Sequence, residues 1–282
     1  MILIADSGST KTAWRLVKAD QKILQFNTPG IHPLLQDESQ IRTTIQSLFS
    51  IAGFPDSNTI KSIFYYGTGC SSTERSQPVF QCLSTLFPAA VIEVESDMLG
   101  AARGLCGHRE AIACILGTGS NSCHFNGLHI LHARPSLGYI LGDEGSGAWI
   151  GKNVLRAFLY GELPAHLAEK LKTEYALKKD EIIKKIYSEP LANRYMASFS
   201  PFVYRNSADP YMHRLVKEGF LAFFNKHISH YQIKNLSINA TGSIAFFYAD
   251  IFRDVCNELG FTLGTITESP IAGLTLYHLN EI

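Results

Sequence analysis

The sequence predicts an α/β protein built from two similar halves. A short apolar strand, a turn rich in glycine and hydroxyl residues, and two further strands occur in that order near residue 1 and again near residue 111. The chain has 282 residues, enough for one large domain or two of ordinary size, and 46% of them are hydrophobic, enough to form a core. A glycine-rich turn after a strand brings backbone N–H groups close to a phosphate. Two such turns indicate a duplicated fold that binds a nucleotide between its halves.

The first half is predicted to begin as an antiparallel meander. Apolar and β-branched residues predict strands at 2–5, 12–17 and 22–26. Apolar residues at helical spacing predict a helix over 38–52 that stops at Gly53 and Pro55. The other elements expected in this half are a strand at 60–66, a helix at 79–87, a strand at 91–94 and a helix from Asp97 that ends at Gly107.

The second half is predicted to repeat this order. Its strands are expected at 111–116, 121–126 and 128–133, and residues from about 145 to 234 are predicted to be mostly helical, with a long amphipathic run at 211–231. Strands at 236–240 and 261–266 and a terminal helix from about Pro270 complete the half. We therefore expect domains at 1–107 and 108–268, with a hinge near 105–110.

Charge and hydropathy argue against several classes of partner. Basic and acidic residues number 25 each, so the formal net charge is zero and broad attraction to nucleic acid or to an anionic membrane is not expected. No apolar run reaches the roughly 18–20 residues that span a bilayer, and no signal peptide is recognisable. We expect a cytoplasmic protein with neither nucleic acid nor membrane as a partner, and the sequence leaves a homodimer open.

The six cysteines are scattered along the chain and lack the spacing of a zinc site. Several lie within apolar stretches, which favours buried free thiols over ligands or disulfides. They are Cys70, Cys82, Cys106, Cys114, Cys123 and Cys256.

The first glycine-rich turn, residues 6–12, has two interpretations. Gly and Ser are common in ordinary hairpin turns, and the spacing matches neither a Walker A loop nor a Rossmann fingerprint. However, Asp6 ends a strand predicted to be buried, where a carboxylate needs a partner, and Mg²⁺ with its waters is a natural one. In the phosphate-binding hypothesis Asp6 holds Mg²⁺ through water, and the phosphates contact the rest of the turn, namely Ser7, Gly8, Ser9, Thr10, Lys11 and Thr12.

The second turn has the same two interpretations. The phosphate-binding hypothesis includes Gly117, Thr118 and Gly119. A third segment places Gly242 and Ser243 between a strand and a helix, where a helix N-terminus stabilises phosphate and an adenosine diphosphate end fits. A capped helix start remains the alternative there.

Two aspartates are candidates for contact with a hydroxylated substrate. Asp97 begins a helix, where it is predicted to be the helix N-cap or a base that accepts a hydroxyl proton during phosphoryl transfer, and both roles can hold if its carboxylate faces a cleft. Asp143 lies in the segment 138–151, which has five glycines around an acidic pair. We interpret this segment as a helix N-terminus that places Asp143 in a cleft, where it accepts hydrogen bonds from sugar-like hydroxyls. Glu144 is alternatively a first-turn partner of the helix dipole.

With these motifs in place, the chain resembles the N-acetylglucosamine kinase branch of the BadF/BadG/BcrA/BcrD ATPase family, within the sugar kinase/Hsp70/actin superfamily. The resemblance covers nearly the whole chain and is specific because five motifs occur in order. They are the turn at 6–12, Ser96-Asp97-x-x-x-Ala101-Ala102-Arg103-Gly104, Gly117-Thr118-Gly119-Ser120-Asn121-Ser122, Gly142-Asp143-Glu144-Gly145-Ser146-Gly147-x-Trp149-Ile150-Gly151 and Thr241-Gly242-Ser243-x-Ala245.

The resemblance implies two ribonuclease-H-like domains of the actin-like ATPase type around a central cleft, with the C-terminal helix at 269–282 packing back on the first domain. It implies a kinase that uses ATP and Mg²⁺ to phosphorylate the 6-hydroxyl of an amino sugar, with N-acetylglucosamine as the leading substrate. Asp97 would then be the base at that hydroxyl. Asp143, Thr118 and Asn121 would lie near the sugar or the γ-phosphate.

One departure from the family bears on the sugar. Relatives commonly place an Asn in the loop after the third strand, where this chain has His32. An imidazole offers one neutral donor and one acceptor in a geometry unlike that of an amide, so His32 leaves the preferred hexosamine open. The absence of the zinc-binding cysteine cluster of ROK-type sugar kinases argues against that neighbouring family.

Two other functions are kept as alternatives. One is an ATPase activator of a radical dehydratase or reductase, whose relatives hold an iron–sulfur cluster between subunits through a pair of cysteines. Cys106 and Cys123 are badly placed in the sequence for that role. The other is a non-catalytic protein that senses a sugar or a nucleotide, which would have no need of Asp97 as a base.

Overall fold

The structure is a computed structural model that describes residues 1–231 and 235–279. The strands in these residues are β1 (Ile2–Ser7), β2 (Lys11–Val17), β3 (Ile23–Pro29), β4 (Ser62–Gly67), β5 (Val91–Ser96), β6 (Glu110–Leu116), β7 (Ser120–Asn126), β8 (Ile130–Ala133), β9 (Ser237–Thr241) and β10 (Thr262–Thr267). The α-helices are α1 (Glu38–Gln46), α2 (Thr73–Leu86), α3 (Asp97–Cys106), α4 (Gly138–Leu141), α5 (Gly147–Tyr160), α6 (Ala165–Tyr175), α7 (Lys179–Tyr187), α8 (Ala192–Ala197), α9 (Ser200–Arg205), α10 (Pro210–Phe223), α11 (Ser243–Phe247), α12 (Ala249–Glu258) and α13 (Ile271–Leu279). Short 3₁₀ turns at Ser47–Ser50, Ser57–Thr59 and Ser229–Tyr231, and a π-helical turn at Phe224–Ile228, complete the elements.

The first sheet has the order β3-β2-β1-β4-β5. β1, β2 and β3 pair antiparallel, which confirms the predicted meander, whereas β4 and β5 run parallel to β1. In the parallel pairing of these strands, Asp6 on β1 lies beside Tyr66 on β4, and Tyr66 lies beside Glu95 on β5. The carboxyl ends of the three parallel strands therefore meet at one edge of this sheet, which is where open α/β sheets bind ligands.

The second sheet has the order β10-β9-β6-β7-β8, which is the first order read from the opposite end. β6 takes the place of β1, β9 pairs parallel with β6, and β10 pairs parallel with β9. The predicted duplication is confirmed. The two sheets share their topology, although residue identity between the two halves is slight.

The chain divides into two compact units. One unit contains Met1–Arg109, Asn126–Ile130 and the segment that starts at Ser269, and the other contains Glu110–Phe125 and Leu131–Glu268. The tip of the β7–β8 hairpin falls in the first unit because it packs on the loop after α3. A Cβ atom on Gly127, whose φ is +98°, would lie 2.3 Å from the carbonyl oxygen of His108.

Each unit has its own hydrophobic core. In the first unit the buried side chains that fill the core include Trp14, Ile63 and Phe87. In the second unit the core is rich in phenylalanine, and its fully or almost fully buried members are Phe199, Phe202, Phe220, Phe223, Phe224 and Phe252. Aromatic side chains of this size dominate the energetics of a core, because each removes a large apolar surface from water.

Helices α3 and α13 cross with little space between their backbones. A Cβ atom on Gly273 would lie 1.8 Å from the carbonyl oxygen of Gly104, and a Cβ atom on Gly104 would lie 2.6 Å from that of Pro270. Neither glycine is replaceable by a larger residue without separating the helices. Ile271 and Leu274 of α13 pack in a small cluster with Ile4 of β1, so the crossing fixes α13 against the first sheet.

Three predicted helices differ in their limits. The helix expected at 79–87 begins at Thr73, because Ser72 caps it through Arg75 N and because Pro78 is accommodated inside it. The helix expected at 38–52 ends as an α-helix at Gln46 and continues as a 3₁₀ turn. The regular helix in the run 211–231 ends at Phe223, and residues 232–234 of the segment predicted to be helical lie outside the described part of the chain.

The structure also bears on the predictions about the cysteines and about membrane-spanning segments. All six cysteines are buried and carry free thiols, which confirms that part of the prediction. Among the helices of residues 1–231 and 235–279, none has both the length and the apolar character needed to cross a membrane.

The α3–α13 crossing gives a first prediction. Gly273→Ala should lower the free energy of unfolding by about 1–3 kcal/mol, because the new methyl group collides with a backbone carbonyl, although Ala is the better helix former. Thermal and urea unfolding followed by circular dichroism measure the change. Leu276→Ala, at an exposed position of the same helix, is the control and should have a small effect. An unchanged unfolding midpoint in Gly273→Ala would contradict the close crossing.

Candidate functional site

Asp6 lies at the carboxyl end of β1 in the first unit. The pKa of its carboxyl group is raised from 3.8 to about 6, chiefly by burial and to a smaller extent by the negative charge of Asp97, while the hydrogen bond from Ser269 opposes the rise. Ser269 Oγ donates that bond to Asp6 Oδ2 over 3.0 Å. The positive charges of Arg15 and Lys11 also oppose the rise, to a smaller extent. The carboxylate is therefore held in a poorly solvated place where a cation would stabilise its charged form.

Asp97 is the first residue of α3, and it is not the N-cap that one interpretation of the sequence assigned. Ser96 takes that role, since its side chain accepts a hydrogen bond from Leu99 N over 3.2 Å. The Asp97 carboxylate accepts bonds from the Thr68 side chain and from the backbone N–H of Met98. Burial raises the pKa of Asp97, and these hydrogen bonds counteract the rise. The structure thus brings two carboxyl groups with raised pKa values to one edge of the first sheet.

The first turn contains two kinds of residue. Ser7 and Thr12 are fully buried, and their hydroxyl oxygens form a hydrogen bond of 2.7 Å with each other across the hairpin. Between them Gly8, Thr10 and Lys11 are exposed and Ser9 is half-buried. Gly8 N donates to Lys11 O over 3.0 Å, which closes the turn. The predicted phosphate residues therefore separate into a pair that holds the hairpin and a tip that faces solvent.

His32 lies beside the loop that follows β4. Its ring is close to Gly69, where a Cβ atom would approach His32 Cε1 to 3.2 Å. Gly69 has a φ of +79° and comes directly after Thr68, the partner of Asp97. Nδ1 of His32 accepts a long bond of 3.4 Å from Leu34 N. Three of the predicted site residues, Asp6, Asp97 and His32, are thus placed around neighbouring loops of the first unit.

The second turn is held by the N-terminus of α5. Gly147 N donates to Gly117 O over 2.8 Å, and Ala148 N donates to Thr118 O over 3.0 Å. Gly242, with a φ of +108°, lies against the same turn, since a Cβ atom there would be 2.3 Å from the carbonyl oxygen of Leu116. The structure therefore brings together the second turn and the start of α11 at Ser243, which the sequence places over a hundred residues apart.

Asp143 contacts the second turn directly. Its Oδ1 accepts a hydrogen bond from Ser120 N over 3.3 Å, and a Cβ atom on Gly119 would approach its Oδ2 to 3.0 Å. The side chain is buried, and burial raises the pKa of Asp143. The hydrogen bond from the Ser120 N–H counteracts this rise. Asp143 has a φ of +59°, a left-handed conformation that is uncommon for a residue with a side chain. Such strain often accompanies a functional residue.

The segment around Asp143 differs from the prediction in one respect. Helix α5 begins at Gly147 with Ser146 as its N-cap, so neither Asp143 nor Glu144 belongs to its first turn. The alternative in which Glu144 interacts with the helix dipole from that turn is therefore wrong. Glu144 instead accepts a bond from Ser120 Oγ through its backbone carbonyl, over 2.8 Å. Asn121, half-buried on β7, accepts from Ser122 N through its Oδ1 over 2.8 Å.

Sequence reasoning missed two partners of the aspartates. Ser269 and Thr68 are the hydroxyl donors to Asp6 and Asp97. The order Ser269-Pro270 before an apolar helix is a recognisable helix start. Nothing local indicates that this serine contacts Asp6, because 263 positions separate the two residues.

Comparison with known proteins places this chain in a family. No family model and no curated protein matches it. A solved structure from Porphyromonas gingivalis, named "Putative N-acetylglucosamine Kinase", is 42% identical, and the alignment covers 99% of both chains with a TM-score of 0.95. The chain belongs to the N-acetylglucosamine kinase branch of the BadF/BadG/BcrA/BcrD ATPase family.

More distant structures share the fold of this N-acetylglucosamine kinase family member. A structure of the same name from Chromobacterium violaceum is 19% identical over 98% of both chains, with a TM-score of 0.74. A ROK hexokinase from Thermus thermophilus is 13% identical over 100% of this chain and 99% of its own, with a TM-score of 0.58. The predicted fold class, two ribonuclease-H-like domains of the actin-like ATPase type, is confirmed. The central cleft between the domains stays a prediction.

The raised pKa of Asp6 makes a second prediction about this family member. The folded-state pKa of about 6 exceeds the unfolded value of 3.8, so the folded protein binds more protons between these pH values and loses stability as the pH rises through them. Asp6→Asn removes the buried charge and keeps an acceptor for Ser269. The variant should be more stable than the native protein by about 1–3 kcal/mol above pH 7, with no difference near pH 4.

Urea unfolding without ATP or divalent cations, from pH 4 to pH 8, measures this effect. Asp250→Asn, at an exposed position of α12, is the control and should show no such trend. Equal stability of Asp6→Asn and the native protein at pH 8 would contradict the raised pKa of the Asp6 carboxyl group.

Proposed function

We propose that the protein is an ATP-dependent kinase that transfers the γ-phosphoryl group to the 6-hydroxyl of an amino sugar, with N-acetylglucosamine as the leading substrate. The observation that carries this proposal is the pair Asp6 and Asp97, two carboxyl groups at the carboxyl edge of β1, β4 and β5. The 42% identical relative, whose name specifies N-acetylglucosamine, supports the substrate class.

In this proposal Asp97 orients the sugar hydroxyl and accepts its proton. A sugar hydroxyl is a weak acid, so the proton leaves late, as the bond to phosphorus forms. The raised pKa of Asp97 makes its carboxylate a better proton acceptor than an exposed one. The bond from Thr68 keeps the carboxylate in one orientation, so that the oxygen that receives the proton is set before the sugar binds.

Asp6 fits the role of a partner for Mg²⁺. Its carboxylate has a raised pKa and the neutral Ser269 hydroxyl as its direct donor, a setting in which a divalent cation stabilises the charged form. Within residues 1–231 and 235–279 no group of three or more His, Cys, Asp or Glu side chains is arranged to hold a metal. Phosphate oxygens and water would therefore supply the other ligands, and the ion would neutralise charge on the phosphates.

The remaining site residues are proposed from their motifs and from their contacts within each unit. The solvent-facing tip of the first turn, Gly8, Ser9, Thr10 and Lys11, would contact phosphate, while Ser7 and Thr12 would hold the turn in shape. In the second unit Gly117, Thr118 and Gly119 would contact the γ-phosphate end, and Gly242 and Ser243 the adenosine diphosphate end. The sugar would contact His32, Thr118, Asn121 and Asp143 in addition to Asp97.

Two observations weigh against the alternative functions. An activator of a radical dehydratase would need cysteines that reach a shared iron–sulfur cluster, and all six thiols of this chain are buried. Burial also raises the pKa of Cys106 to about 12, which disfavours the thiolate that a cluster requires. A non-catalytic sensor would not need a carboxyl group with a raised pKa such as that of Asp97, the first residue of α3.

An ADP-release assay across five sugars tests the proposal and gives a third prediction. With MgATP, N-acetylglucosamine should give the highest kcat/KM among N-acetylglucosamine, glucosamine, N-acetylmannosamine, N-acetylmuramic acid and glucose. The product should carry phosphate on its 6-oxygen, as shown by ³¹P–¹H correlation spectroscopy. The 6-deoxy sugar is the control and should give no ADP above background. Calorimetric sugar binding with no ADP release would favour the sensor.

Asp97→Asn gives a fourth prediction. The variant keeps the size and hydrogen-bonding shape of the side chain and loses its basicity, so kcat should fall by about 10²–10⁴-fold. The sugar Kd, measured by calorimetry, should stay within about threefold of the native value, because contacts with the bound sugar are kept. The exposed substitution Asp250→Asn should leave both quantities unchanged. Near-normal turnover by purified Asp97→Asn would show that another group takes the proton.

A further inference from the structure

Four buried or half-buried polar side chains form a connected row next to the loop that carries Asp143. Ser122 Oγ, fully buried on β7, forms a 2.8 Å hydrogen bond with Tyr231 OH and lies 3.5 Å from His227 Nδ1. On the other side of the imidazole, His227 Nε2 is 3.7 Å from Glu144 Oε2. His227 is buried and stacks on Phe223, with ring centroids 4.7 Å apart. The row therefore runs from Tyr231 through Ser122 and His227 to the residue next to Asp143.

The position of His227 results from an irregular turn. Helix α10 ends at Phe223, and the π-helical turn Phe224–Ile228 follows it. Single π-helical turns occur frequently at functional sites, because the extra residue changes the direction of the side chains that follow. Here the turn brings His227 within reach of both β7 and Glu144.

The loop 143–145 is fixed at three points within the second unit. Ser120 binds it through two bonds, from its N–H to Asp143 Oδ1 and from its hydroxyl to the Glu144 carbonyl. Gly145 packs on α10, where a Cβ atom would lie 3.0 Å from Gly219 O. The third point is the contact between the Glu144 carboxylate and His227. This contact restrains Glu144, the residue next to Asp143. Asp143 itself has a left-handed conformation, which is unfavourable for a residue with a side chain.

We infer that His227 is a positioning residue of the sugar site, which holds Asp143 in its binding conformation through Glu144; this inference rests on the proposed function. Neutral His227 does so with one consistent set of protons. Nε2–H points at the Glu144 carboxylate, Nδ1 accepts from the Ser122 hydroxyl, and Ser122 in turn accepts from Tyr231 OH. The other neutral tautomer would turn an unprotonated Nε2 toward the Glu144 carboxylate, so these contacts favour the proton on Nε2.

Paired substitutions at position 227 test this inference and give the fifth prediction. His227→Phe keeps a ring that stacks on Phe223 and removes both nitrogens, whereas His227→Gln keeps an N–H donor near the place of Nε2. In the N-acetylglucosamine assay His227→Phe should raise the sugar KM about 10-fold, with the ATP KM unchanged, because a contact with a charged group is lost. His227→Gln should stay within about threefold of the native sugar KM.

Reference variants and a second measurement separate positioning from general damage. Asp143→Ala should raise the sugar KM at least as much as His227→Phe, and His213→Phe, at an exposed position of α10, should leave it unchanged. Hydrogen–deuterium exchange of the peptide that covers 142–147 should be faster in His227→Phe than in the native protein, without sugar present. If His227→Phe does not fold by circular dichroism, Glu144→Gln takes its place, with the same expected direction in both measurements.

The outcomes distinguish this inference from the proposed function. If the native protein phosphorylates none of the five sugars, the proposed function fails and the inference fails with it. If the native protein is active and His227→Phe leaves the sugar KM unchanged, or raises the sugar and ATP KM values equally, the inference alone is wrong. Unchanged exchange in the 142–147 peptide would also overturn it.

Discussion

The Asp6 carboxylate loses much of its contact with water at the end of β1, and its pKa rises to about 6 as a result. Much of the first unit is arranged around this unfavourable burial. Parallel pairing with β4 and β5 brings the start of α3 to the same edge of the sheet, and with it a second carboxyl group at Asp97. Ser269, at the start of α13, supplies the hydrogen bond that partly offsets the burial. A carboxylate kept in this state binds a cation more readily than a solvated one does.

The second unit has the same topology with different residues at the end of its central strand. Where the first unit has a carboxylate at the end of its central strand, the second has the Leu116–Gly117 peptide, against which Gly242 packs with no space for a Cβ atom. The N-terminus of α5 binds two carbonyls of the turn, so the turn's shape depends on backbone contacts. The same order of strands thus ends in a carboxylate on the central strand of one unit and in a close-packed glycine turn in the other.

The sequence predicted the two sheets well because their strands depend on local signals. Apolar runs before glycine turns located β1 and β6, and the repeated order of strands predicted the duplication that the two sheets show. The limits of helices were harder to predict. A proline such as Pro78 is typical of a helix boundary, but Pro78 lies inside α2. The partners of the site residues were hardest. Ser269, Thr68 and His227 reach the aspartates or their neighbours across long separations in the chain, or through an irregular turn, and no local pattern encodes either.

The bond between Ser269 and Asp6 also bears on how the protein is made. The two residues are 263 positions apart, and the second unit ends at Glu268, just before Ser269 is added. A nascent chain therefore contains every residue of the second unit before it contains the donor for Asp6 or the helix α13 that packs on β1. Domains generally fold as units during synthesis. The half that is synthesised first is consequently the half that is completed last.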